Sequence, residues 1–99
     1  MRMMLKILIP TESGNDAVKD GSLAKLFEAA IAKLKPEASY FVAQDGVRSA
    51  MFFFDLKDIS DIPAIVEPFF MTSGAEIELV PAMNADELKR GLQAAMRTM

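Results

Sequence analysis

Apolar and polar residues alternate along this 99-residue chain in two rhythms, one of period two and one of period three to four. Residues 3–9 are a short apolar run closed by Pro10, which predicts a buried central strand. The polar stretch "TESGNDAVKDGS" follows, with room for a loop and a helix start. Leu23, Leu26, Phe27, Ala30, Ile31 and Leu34 then recur every three or four positions, the stripe of an amphipathic helix. That helix begins near Asn15 or near Ser22, depending on how Gly21 is tolerated, and Pro36 ends it.

The sharpest local signal is "ASYFVAQ-DG-VRSAMFFFD", residues 38–55. Asp-Gly between two β-rich runs predicts a two-residue type I′ hairpin turn, and the turn sets the register. Gln44 then faces Val47, Val42 faces Ser49, Tyr40 faces Met51 and Ala38 faces Phe53. On the other side Ala43 faces Arg48, Phe41 faces Ala50 and Ser39 faces Phe52.

Ile62, Ile65, Val66, Phe69 and Phe70 show the helical period again, with Ser60 expected as N-cap, Pro63 in the first turn and Gly74 as the stop. Pro68 lies inside this pattern and is expected to bend or shorten the helix. "AEIELVPAM" alternates, with Ile77 and Leu79 on one side and Glu76 and Glu78 on the other. Asn84 and Glu87 stand at capping-box spacing before a last helix striped by Leu88, Leu92, Ala95 and Met96.

The order β-α-β-β-α-β plus a terminal helix predicts an α+β, ferredoxin-like sandwich in one domain, residues 1–99. Its antiparallel four-stranded sheet has the order 4-1-3-2, with both main helices on one face. The hairpin faces sort accordingly. Phe41, Ala43, Ala50, Phe52 and Phe54 go under the helices, with Met3, Leu5, Ile7, Ile9, Ile77 and Leu79. The other face receives Met4, Lys6, Leu8, Tyr40, Val42, Gln44, Val47, Ser49, Met51, Phe53, Glu76, Glu78 and Val80. So much apolar surface is too large to leave in water, and a second copy, sheet against sheet, is the economical cover. The mixed polarity would then line an inter-sheet cleft.

Composition narrows the chemistry. The chain is 52% hydrophobic and 25% charged, with a net charge of −3. That balance gives no electrostatic reason to bind nucleic acid or an anionic membrane. Without cysteine or histidine there is no disulfide framework, and the usual ligands for zinc, haem and iron–sulfur clusters are missing. No cofactor and no metal are expected; a cytoplasmic location is. The N-terminal "MRMMLKILIP" reads as a strand rather than a signal peptide, because Lys6 interrupts it and Pro10 ends it. No run approaches a membrane span.

Candidate catalytic groups are few. Tyr40, the single tyrosine, could orient a ligand or act as an acid, or simply sit at a sheet interface with its hydroxyl wet. Lys6, Glu76 and Glu78 share the open face on neighbouring strands, as a proton-transfer cluster or as a cross-strand salt bridge. Ser49 has no readable base partner. Asp55, Asp58 and Asp61 gather at a strand-to-helix junction, as caps or as a weak magnesium site.

The βαββαβ order, the two-faced strand at 47–55 and the run "FVAQDGVRSAMFFFDLKDISDIPAIVEPFF…AEIELVPAMNADEL" resemble the dimeric α/β-barrel superfamily, in particular its small uncharacterised bacterial proteins. The resemblance implies a homodimer closing a barrel from two sheets. Superfamily members include cofactor-independent monooxygenases, lactone isomerases, haem enzymes and plain ligand binders. The haem and histidine–aspartate branches have no counterpart residues here. Two functions remain as expectations. One is a binding or interaction module holding a small apolar ligand. The other is a cofactor-free enzyme, monooxygenase- or isomerase-like, acting on a small hydrophobic substrate.

Overall fold

The Asp45-Gly46 turn sets the frame of the sheet. Both residues have positive φ, 52° and 77°, as a type I′ turn requires. The strands on either side, β2 (Ala38–Gln44) and β3 (Val47–Asp55), pair in the expected register, from Gln44–Val47 to Ala38–Phe53. In this computed structural model, which describes all 99 residues, β1 (Arg2–Ile9) pairs antiparallel with β3 on one side and with β4 (Glu76–Pro81) on the other. The strand order is β2-β3-β1-β4, the expected order counted from the opposite edge. An α+β chain with this antiparallel sheet is compatible with a ferredoxin-like sandwich.

The polar stretch after β1 behaves differently from expectation. It forms a helix of its own, α1 (Thr11–Lys19), directly after Pro10, and α2 (Ser22–Leu34) follows it. Gly21, at φ 82°, breaks the two apart. The striped helix thus starts at Ser22, the later of its two expected start points, and the unexpected element is the separate helix before it. The signal in α1 is weak because it buries only Gly14 and Ala17. A Cβ on Gly14 would lie 2.9 Å from Ile9 Cγ2 and 2.8 Å from the Arg48 guanidinium, so glycine allows α1 to lie close to the sheet.

The second crossover starts with a 3₁₀ turn, Ile59–Asp61, and continues as α3 (Ile62–Ser73). Its cap is Asp58, not Ser60: the Asp58 carboxylate accepts from the Ser60 N–H at 2.8 Å and the Ser60 hydroxyl at 2.7 Å. Pro68 does not shorten α3, which continues to Ser73 before Gly74 turns left-handed at φ 62°. Proline at 68 removes the N–H that Ala64 C=O would accept. Lys33 of α2 supplies a donor instead, its Nζ 3.1 Å from that oxygen.

The core lies between the sheet and α1–α3. Leu5, Ile7, Ile9, Ala50, Phe52, Phe54 and Phe69 are almost wholly excluded from water, and Phe27 packs on Phe69 and Phe52 with ring centroids 5.8 and 6.2 Å apart. The helices stop short of the β2 edge. Phe41 points to the helix side as expected but stays 53% exposed, held edge-on by Phe27 at 5.2 Å and Phe52 at 5.8 Å.

The last helix, α4 (Ala85–Thr98), begins with the expected capping box: Asn84 Oδ1 accepts from the Glu87 N–H, and Glu87 Oε1 from the Asn84 N–H, both at 2.9 Å. It buries no residue. The molecule is correspondingly long, 55 × 29 × 19 Å, with a Cα radius of gyration of 15.9 Å; a compact chain of this length has about 12.6 Å.

Candidate functional site

Pairing arranges the uncovered face of the sheet in cross-strand rows. At one end lie Ala38, Phe53, Met4 and Val80. The middle row is Tyr40, Met51, Lys6 and Glu78. The third is Val42, Ser49, Leu8 and Glu76, and the Gln44–Val47 pair extends it on the hairpin side. The even-numbered β1 residues are only partly buried while Met3, Leu5, Ile7 and Ile9 are buried, so one face of the strand is open. The same alternation separates Met51 and Phe53 from Phe52 and Phe54.

The face is divided by character across its width. The β2–β3 half carries Tyr40, Val42, Val47, Met51 and Phe53, and β2 has no charged residue. The β4 half carries Glu76 and Glu78, both exposed. Lys6 lies between the halves, Cα-paired with Glu78 and Met51. The four ion pairs of the chain all involve other residues, so the expected Lys6–glutamate salt bridge does not form. No ion pair engages the Lys6 ammonium. The Ser49 hydroxyl is engaged within its own strand. Ser49 is buried, and its hydroxyl donates to the Val47 carbonyl oxygen at 3.0 Å, so it offers no free nucleophile or donor.

None of the four principal concavities is lined by Tyr40, Lys6, Glu76 or Glu78. An apolar notch of about 310 Å³ does open at the β2 flank, between Leu23, Phe27, Phe41 and Val42. It exists because the helices do not reach β2.

The three aspartates after β3 act separately. Asp55 accepts from Lys57 Nζ and from the Met1 amino group, each at 2.6 Å. These two cations, Lys57 foremost, hold its carboxyl down to about 2. Asp58 is the cap described above, and its bonds from Ser60 lower its pKa. No group of three or more carboxylates converges to hold a metal ion, and no helix is long and apolar enough to cross a membrane.

One polar centre was not foreseen from sequence. Arg2 donates from Nε to Glu37 at 2.8 Å and from Nη1 to the Ala82 carbonyl at 3.3 Å, and pairs with the Glu87 carboxylate. It ties the start of β2 and the root of α4 to the start of β1. Its only sequence signal is parity: Arg2 falls on the same side of β1 as Met4, Lys6 and Leu8.

Comparison with protein-family models, with curated proteins and with solved structures finds no match for this chain.

Proposed function

We propose that the protein is a homodimeric binding module of the dimeric α/β-barrel kind. Two copies pack sheet against sheet and hold a small apolar or amphipathic ligand in the cleft between them. The observation that carries the reading is the sheet face of Met4, Leu8, Tyr40, Val42, Met51, Phe53 and Val80, which none of the four helices covers. An isologous dimer hides such a patch twice at once. Tyr40 and Lys6 would give the cleft a hydroxyl and an ammonium to orient an amphipathic guest.

Size-exclusion chromatography with light scattering tests the reading. The wild type is expected to run as a dimer at micromolar concentration. Phe53→Asp places an unpaired charge in the contact and should weaken the dimer by at least about 3 kcal/mol, roughly 100-fold. Glu67→Ala, on the exposed side of α3, should leave it intact. A monomeric wild type would overturn the proposal.

The middle row supports a second reading, a cofactor-free enzyme acting on a small hydrophobic substrate, because it sets Tyr40, Lys6 and Glu78 in one line across the four strands. Turnover lost in Tyr40→Phe or Lys6→Met, with binding retained, would mark that reading. Binding without turnover marks the module.

A further inference from the structure

Helix α4 stands apart from the body that bears it. Leu88, Leu92 and Met96 are 46%, 54% and 72% exposed, increasingly so from root to tip. A Cβ on Gly91 would have no neighbour within 4 Å. A helix of 14 residues is marginal in water without packing, and an apolar stripe of this kind ordinarily faces a core. The surface area gives the same result. The chain exposes 6678 Å², whereas a compact monomer of its mass exposes about 5,600 Å². The excess, about 1,100 Å², is of the order of the ~800 Å² that each partner buries in a standard interface.

The root of α4 tells which side the helix serves. Its Glu87 is held by Arg2, which shares its face of β1 with Met4, Lys6 and Leu8. The helix is therefore tethered on the open side of the sheet, where the second copy would lie. Charge selects how that copy lies. Glu76 and Glu78 on β4 would repel their own counterparts if each strand overlay its own copy. The alternative two-fold arrangement sets the β4 edge over the partner's β2 edge, which is uncharged. Since α4 follows β4, it arrives beside that β2 edge, where Tyr40 and Val42 are exposed on the open face.

We propose that α4 is an exchanged arm: in the dimer it lays Leu88, Leu92 and Met96 on the β2 flank of the second copy and closes one end of the inter-sheet cleft. The proposal rests on the dimeric reading above and adds that each cleft is completed by the other copy's helix.

The chain has no cysteine, so Gln93→Cys, outside the apolar stripe of α4, gives a unique site for a nitroxide label. Mixed dimers of this labelled chain with nitrogen-isotope-labelled wild type are then examined by NMR. Selective broadening of the Tyr40–Val42 amides in the wild-type chain is the expected result. A dimer by light scattering in which those amides keep full intensity would overturn the exchange and leave the sheet-to-sheet dimer standing. A monomeric wild type would overturn both. Leu92→Ser with Met96→Ser should also raise the dimer dissociation constant at least tenfold, and an unchanged constant counts against the arm.

Discussion

Phe52 and Phe53 are chemically identical neighbours with opposite roles. Phe52 is fully buried against Phe27 and Phe41, and Phe53 lies on the open face, Cα-paired with Met4 and Ala38. Phe52→Ala should cost about 3–5 kcal/mol of stability in chemical denaturation; a loss below ~1 kcal/mol would mean that the site collapses around the gap. At the α4 root, the Glu87 carboxyl is held below its usual range by the Asn84 N–H and then by Arg2. A lowered folded-state pKa adds stability that is complete above the unfolded value and is lost as pH falls through the folded one. The first turn of α4 should therefore loosen as pH falls below the ordinary glutamate range, seen as faster amide exchange at Glu87 and Leu88. A root that stays protected until the sheet itself unfolds would contradict this. The two phenylalanines were legible in the sequence, because the Asp45-Gly46 turn dictates parity along β3. Arg2 was not, because its partners Glu37 and Glu87 lie 35 and 85 positions away.

At the scale of elements, α3 shows how a local rule yields to its surroundings. Proline inside a helix leaves a carbonyl without a donor, and the expected consequence was a bent or shortened helix. Lys33, reaching across from α2 to the Ala64 oxygen, replaces the missing donor. Lys33→Met should then destabilise the wild type by about 0.5–1.5 kcal/mol. It should cost nearly nothing in a Pro68→Ala background, where the residue 68 N–H can bond Ala64 itself. A double-mutant cycle with no coupling would refute this division of labour. The splitting of α1 from α2 has a related cause. Its first half buries little beyond Gly14 and Ala17, so apolar periodicity is silent there and close approach to Ile9 and Arg48 is decisive.

For the whole molecule, shape and surface belong together. An elongated chain with one uncovered sheet face and one uncovered helix stripe has more apolar surface than its core can use. If two copies share that surface, folding and association are coupled, and the unfolding midpoint must rise with protein concentration. Thermal scans across a hundredfold range of concentration measure this directly. A midpoint independent of concentration would mean that the open face is stable in water. The same coupling predicts that Phe53→Asp lowers the midpoint most at high concentration, where the wild type gains most from association.

Local chemistry determined the hairpin, its register, the alternation of faces, the Asn84–Glu87 cap and the stop at Gly74. Each of these depends on residues within a few positions of one another, through φ preferences, the two-residue period of a strand and the reach of a capping side chain. Tertiary structure alone decided what lies over each face. The reach of α2 leaves Phe41 half-open, Lys33 rescues the carbonyl that Pro68 orphans, Arg2 ties the root of α4 to β1, and the apolar stripe of α4 stays exposed. Those outcomes depend on distances between elements remote in sequence, and periodicity carries no information about such distances.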